Sequence, residues 1–356
     1  MMALERQVTF WIAALAVFIA LLWLLSDMLL PFIAGMALAY LLDPLARRAQ
    51  ALGIPRAVSA LVMVTLVIVL LVVAVMAAAP IVSQQYTALL TRLPGYVERL
   101  QSLIADPSQS WLGQVFGEQI PDAKKSAGTL VTQGAGFITG FLASLWSGGR
   151  AVISILSLLI ITPVVAFYLL CDWERFVVTV DGWIPLQHRD TVRALARDID
   201  NAIAGFVRGQ AVICLILGVF YAIGLTLAGL NFGFLIGFMT GVMSFIPFVG
   251  SLTGFLVAGG VAFAQFWPNW LPILAVVGVF LAGQALEGYV LSPKLVGPRV
   301  GLHPVWLMFS LLAFGYLFGF VGLLVAIPLA AAVGVLARFA LRQYLASPLY
   351  TGGGPR

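Results

Sequence analysis

The sequence predicts an all-α polytopic membrane protein with about eight hydrophobic segments, two of them broken helical hairpins that form an inverted repeat. Three observations carry that prediction. Of 356 residues, 62% are hydrophobic and 9% charged, with a mean hydropathy of +1.07, whereas a soluble domain carries roughly 25% charged residues because its surface faces water. The apolar residues fall in long runs with no sustained polar and apolar alternation, which favours helices over a β-barrel. Two of those runs are too long for one ordinary span and are interrupted by glycine and proline at mid-length.

Taken in chain order, Val8 to Leu25 is too long for the apolar region of a signal peptide and has no small-x-small site after it, so it reads as a retained first span. Leu29 to Leu42 has 14 residues, which rise about 21 Å; with Pro31 and Gly35 inside, it reads as a short, tilted or partly re-entrant segment. Val58 to Ala79 has 22 residues without a charge, about 33 Å, and crosses a bilayer. Residues 81–149 form the long polar interval, with Arg92, Arg99, Lys124 and Lys125 balanced by Glu98, Asp106, Glu118 and Asp122. Tyr86, Leu89, Leu90, Leu93, Tyr96, Val97 and Leu100 recur at helical spacing, so this interval reads as amphipathic helices that pack on protein, or on lipid or a partner.

Ala151 to Cys171 is the next span. After it, Arg189, Arg193 and Arg197 repeat every fourth residue beside Asp190 and Asp198, giving a helix that is either solvated and headgroup-facing or a coupling arm. Phe232 to Phe266 then holds 35 uncharged residues broken at Ser244-Phe-Ile-Pro-Phe-Val-Gly250. Both pieces fall short of the roughly 30 Å hydrocarbon core, so a re-entrant hairpin is the natural construction. Val305 to Ala337 is broken in the same way at Leu317-Phe-Gly-Phe-Val-Gly322.

Orientation follows from the cations in short loops. Arg6, Arg47, Arg48 and Arg56 place the start of the chain and the loop after the second span in the cytoplasm. Residues 81–149 then face the periplasm, and 172–208 and 287–303 the cytoplasm. No Lys or Arg flanks the first hairpin, which exits at Trp267 and Trp270 like an interfacial belt; Lys294, Arg299, Arg338 and Arg342 bound the second. Opposite flanks and paired breaks are the pattern of inverted repeats in secondary transporters.

Several motifs make a resemblance specific. Gly205-Phe-Val-Arg-Gly-Gln210, Phe245-Ile-Pro-Phe-Val-Gly250, Glu287 through Pro293-Lys-Leu-Val-Gly297 to Gly301-Leu-His-Pro304, and Phe318-Gly-Phe-Val-Gly322 leading to Pro328 resemble the AI-2E family of bacterial membrane transporters. Pro31-Phe-Ile-Ala-Gly35, Ala39-Tyr-Leu-Leu-Asp-Pro44 and Phe167-Tyr-Leu-Leu-Cys-Asp172 are similar to that family too. Tyr289 stands where many relatives carry asparagine. The resemblance implies a multi-pass permease of the bacterial inner membrane, with autoinducer-2 export as the name-giving activity, sodium/proton antiport in some members, and a homo-oligomer, a pentamer among the candidate assemblies.

These readings divide the chain into N-terminal transmembrane helices (1–80), periplasmic amphipathic helices (81–149), a transmembrane helix and cytoplasmic linker (150–208), a transport core (209–342) and a flexible tail (343–356). The expected substrate path runs past Ser244, Ile246, Pro247, Gly250 and Ser251 in the first break and Gly319 and Gly322 in the second, the two breaks approaching one another near the midplane. Glu287, with Gln284 beside it, is the candidate for coupling to H+ or Na+, because it ends an apolar run; pairing with Lys294 or Arg299 in the headgroup layer is the plainer alternative. Arg208, Gly209, Gln210, Pro293, Gly297, His303 and Pro304 belong to structural motifs.

The expected activity is ion-driven transport of a small polar solute by alternating access, with an uncoupled channel, and then a membrane enzyme or scaffold, as the alternative classes. No catalytic residue, metal site or cofactor is expected: Cys171 and Cys214 lie in apolar segments, His188 and His303 lack metal-ligand spacing, and GxSxG, HExxH and Walker A motifs are missing from the sequence. Nucleic acid is not an expected partner, since the net charge of +5 comes from scattered loop cations.

Overall fold

In the computed structural model, the described residues are 24–105, 149–297 and 301–347, with isolated positions before 24 and Tyr350. Residues 106–148 of the polar interval, half of the Val8 to Leu25 stretch and most of the tail lie outside them. Every regular element among the described residues is helical: α1 (Ser26–Ala51), α2 (Arg56–Ala105), α3 (Gly149–Gly182), a 3-10 turn (Leu186–His188), α4 (Arg189–Leu227), α5 (Gly233–Met243), α6 (Val249–Phe266), α7 (Trp270–Ala285), a π-helical turn (Leu286–Leu291), α8 (Ser292–Leu295) and α9 (Pro304–Leu345). Among the described residues, seven helices are long and apolar enough to cross a membrane: Met28–Ala51, Arg56–Ala74, Ser157–Gly182, Leu186–Leu227, Val249–Phe266, Trp270–Leu295 and Pro304–Leu345. The chain is a polytopic, all-helical membrane protein, as its composition predicts.

Contacts divide it into two compact units. One comprises residues up to Ile68, Leu156–Gln210 and Pro293 onward; the other comprises Val69–Ile155 and Ala211–Ser292. In the first, α1, the start of α2 and the second half of α3 share a core of Ala39, Leu42, Ala46, Ala60, Val64, Ala166 and Leu170. Lipid tails are as apolar as these side chains, so the helices associate by close packing, which alanine and glycine permit. A Cβ on Gly35 would lie 2.7 Å from the Val165 side chain, and the Thr162 hydroxyl donates to the Pro31 carbonyl at 3.2 Å. Helix α1 has 26 residues, longer than its apolar run suggests. The run stops at Asp43, but the helix continues, because Arg47 one turn on pairs with that carboxylate at 2.8 Å.

Helix α9 carries the second break. Gly319 has φ 60° and ψ −139°, a region that only glycine occupies readily. The chain bends sharply back there: Gly322 sits directly on the Phe314 carbonyl, and a Cβ on Gly315 would lie 2.8 Å from Leu323. In an unbroken helix, residues 314 and 322 would be about 12 Å apart along the axis. The arms are residues 304–318 and 320–345.

The second unit holds the first hairpin, packed with the C-terminal half of α4 and with α7. Helix α5 has 11 residues and α6 has 18, rising about 16 Å and 27 Å respectively. Phe248, at the break, adopts φ 68°, a left-handed conformation that costs a non-glycine residue roughly 1–2 kcal/mol. The arms close because Gly254 accepts the Thr240 side chain where any Cβ would collide with it. Gly218 on α4 meets Gly241 on α5 backbone to backbone, while Tyr221 on α4 stacks on Phe280 of α7 at 4.9 Å. Phe263, Trp267 and Trp270 cluster at the exit of α6, with ring centroids 4.9 Å and 4.7 Å apart.

Candidate functional site

Breaking a helix inside an apolar run frees backbone groups that lipid cannot satisfy, so such breaks are found where they face protein, water or a ligand. In the first hairpin Ser244, Ile246, Gly250 and Ser251 are buried and Pro247 is half-buried. The structure brings these five together, with Gly250 seated on the Ser244 amide. The hydroxyls of this hairpin are turned onto their own helices: Thr240 donates to the Ile236 carbonyl at 2.7 Å, Ser244 to Thr240 at 2.8 Å and Thr253 to Val249 at 2.6 Å. In the other unit, Gly319 is exposed at the bend and Gly322 is buried behind it.

Glu287 does not stand where a helix gives way to a loop. It lies in the π-helical turn Leu286–Leu291, which joins α7 to α8 without interrupting the helix. π turns recur at functional sites. The carboxylate is half-buried and Gln284 is exposed. Among the described residues no cation lies within ion-pair distance of Glu287: the described pairs all involve Asp43, Glu174 or Asp181. Lys294 is seven residues on, about 10 Å along the axis, which is why that pair does not form; Arg299 is outside the described residues.

The motif residues take up positions in the first unit. Gly209 touches the backbone of α8, where a Cβ would lie 2.7 Å from the Leu295 carbonyl, so the Gly205 to Gln210 and Pro293 to Gly297 motifs meet. Gln210 is buried, whereas Pro293 and Gly297 are exposed. His303 caps α9, its Nδ1 accepting from the Val305 amide at 3.3 Å, and Pro304 follows at the first helical position, where its missing N–H costs nothing.

One cluster in this unit was not picked out from the sequence as a cluster. Asp43 lies 2.8 Å from Arg47, 3.7 Å from Arg56 and 3.7 Å from Arg208. Arg208 Nε donates to the Tyr40 carbonyl at 2.8 Å, the Tyr40 hydroxyl donates to Asp200 at 2.9 Å, and Arg56 Nε donates to the Leu170 carbonyl at 2.7 Å while also pairing with Glu174. Three separate motifs, around Tyr40 to Pro44, Leu170 and Arg208, therefore converge on one carboxylate. A cavity of about 210 Å³ opens beside it, lined by Tyr40, Asp43, Trp173, Asp200 and Arg208. A larger one of about 910 Å³ is lined by Asp190, Asp198, Arg208, Arg338 and Arg342. The sequence signal available was a charged residue embedded in, or next to, each apolar run. The arginine face of α4 is partly committed as well, since Arg193 forks onto Asp181 with two bonds of 2.6 Å.

The model of the AI-2E family transporter matches residues 12–342, all but the two ends of the chain. The chain belongs to the AI-2E transporter family. Among its relatives, YrrI of Bacillus subtilis, named as a transport protein, is 29% identical over 330 residues, covering 90% of this chain and 89% of its own. YueF of the same organism, also named as a transport protein, is 27% identical over 310 residues, with 87% and 83% covered. PerM of Escherichia coli K12, named as a permease, is 27% identical over 326 residues, with 90% and 91% covered. This AI-2E family member is thus a multi-pass membrane protein of a transport family, whose partners include a solute and the bilayer.

Proposed function

We propose that this protein is a secondary transporter of the bacterial inner membrane. It moves a small polar solute such as autoinducer-2 by alternating access, driven by an ion gradient. The observation that carries the reading is the pair of broken helices, one in each compact unit, with glycine at each turn: helices broken inside apolar runs mark solute and ion sites in transporters. Both hairpins are read as re-entrant, with the opposite charge flanks of an inverted repeat, and assembly as a homo-oligomer, a pentamer in the family pattern, is part of the proposal. The sequence carries no Walker A motif, so uphill transport draws on a gradient.

Glu287 is the coupling group in this reading, with Gln284 beside it. The test is solute flux in proteoliposomes under separately imposed proton and sodium gradients, using a panel that includes autoinducer-2. Wild type should accumulate solute under one gradient, and Glu287→Gln should lose accumulation while keeping exchange. Equal flux with and without either gradient would establish a channel instead. A second reading, sodium/proton antiport, is favoured by the half-buried Glu287, which has no ion-pair partner among the described residues, and would show as sodium-dependent proton release with no added solute.

Orientation has its own test. In a chain whose Cys171 and Cys214 are replaced, Ser108→Cys should react with an impermeant maleimide from the periplasm and Ser292→Cys from the cytoplasm. Labelling of both from one side overturns the inverted repeat.

A further inference from the structure

We propose that Tyr221 supplies the second oxygen of a sodium-ion site centred on Glu287, an inference that rests on the coupling role given to Glu287 above. Tyr221 is fully buried in the second unit, yet its hydroxyl has no hydrogen-bond partner among the described residues. A buried hydroxyl without a partner costs roughly 1–3 kcal/mol, so its retention calls for an occupant.

The position of the hydroxyl says which. It rests on the surface of Gly283, where any Cβ would collide with it, and the ring is held there by its stack on Phe280 at 4.9 Å. Gly283 lies four residues before Glu287, one turn towards the N-terminus of the same helix. A helical side chain leans over the turn N-terminal to its own Cα, so Glu287 stands one turn beyond, and leans towards, the patch that the glycine leaves bare and the phenol fills. Glu287 acts electrostatically on Tyr221 and on Cys214, also on α4.

The chemistry of these groups selects the ion. Glu287 brings one negative charge with no described cation to balance it, and a phenol oxygen can accept a hard cation or, without one, donate its hydrogen to the carboxylate. Carboxylate and neutral oxygen donors suit hard cations. A single charge suits a monovalent one, and among the described residues no group of three or more metal-ligating side chains exists that would hold a divalent metal.

The experiment follows the thermal unfolding midpoint of the full chain in lipid nanodiscs as NaCl replaces choline chloride at constant ionic strength. A ligand bound only by the folded state raises the midpoint. Wild type should respond to sodium, Glu287→Gln should not, and Tyr221→Phe, which removes a hydroxyl but keeps the ring, should need about ten-fold more sodium for the same rise. Gly283→Ala, whose methyl displaces the hydroxyl, is a second variant expected to shift in the same direction. A wild-type sodium response in Tyr221→Phe, or in Gly283→Ala should only that variant fold, overturns the role of Tyr221; loss in Glu287→Gln would then leave the carboxylate as a site on its own. A wild type that ignores sodium overturns the site altogether, while the gradient experiment above still decides whether Glu287 couples to protons.

Discussion

Gly322→Leu should eliminate solute flux, and Gly250→Leu should do the same from the other hairpin. Each glycine is seated directly on backbone, Gly322 on the Phe314 carbonyl and Gly250 on the Ser244 amide, so an added side chain cannot be met by a rotamer change. Overpacking a well-filled site costs about 1–3 kcal/mol; here the strain falls on the turn itself and drives the two arms apart. Gly278→Leu is the control, because nothing lies within 4 Å of a Cβ there, and it should transport normally. Flux in proteoliposomes, read against membrane insertion and the size-exclusion profile, separates the cases. Wild-type flux in Gly322→Leu and Gly250→Leu would show that the hairpin turns do not shape the solute path.

Asp43→Ala should lower stability by about 3 kcal/mol, the lower end of what breaking a buried ion pair costs. The carboxylate side chain is 17% exposed and serves Arg56, 13% exposed, as well as Arg208 and Arg47. Removing it leaves the Arg56 guanidinium short of one counter-charge in an apolar setting. Arg47→Ala deletes a partner that is 65% exposed, and the loss should stay under about 1 kcal/mol. Denaturant melts of the two variants in the same detergent should rank them clearly; equal losses would mean that Asp43 acts through Arg47 alone.

The spans were legible in the sequence because a bilayer demands long uncharged runs, and the breaks because glycine and proline interrupt them at Pro247 and Gly319. Helix lengths were less legible. Apolar runs end at the first charge, whereas α1 continues through Asp43 because that charge is paired within the helix and across it. Helix α4 likewise runs from Arg189 to Leu227 without interruption at Gly209, since a glycine packed against a neighbouring backbone leaves the helix intact. The Asp43 cluster could not be read from local pattern at all: the Tyr40 and Arg208 positions that it joins are 168 residues apart, and pattern reports only what lies within a few turns. Glu287 was found by its place at the end of an apolar run, but the π turn around it leaves no mark on periodicity that a six-residue segment can show. Tyr221 was hidden for the opposite reason, as an aromatic residue in an apolar run looks like any other core residue.

The hydroxyls of the first hairpin carry a consequence for how its turn is held. Thr240, Ser244 and Thr253 donate to carbonyls one turn back, so each helix supplies partners to its own hydroxyls, and Thr240 and Ser244 are buried. The two arms are then held to one another chiefly by the fit of Gly250 and Gly254 against the facing arm. Contact of that kind does not loosen by degrees: it is whole while the arms touch and lost once they part by the width of a methyl group.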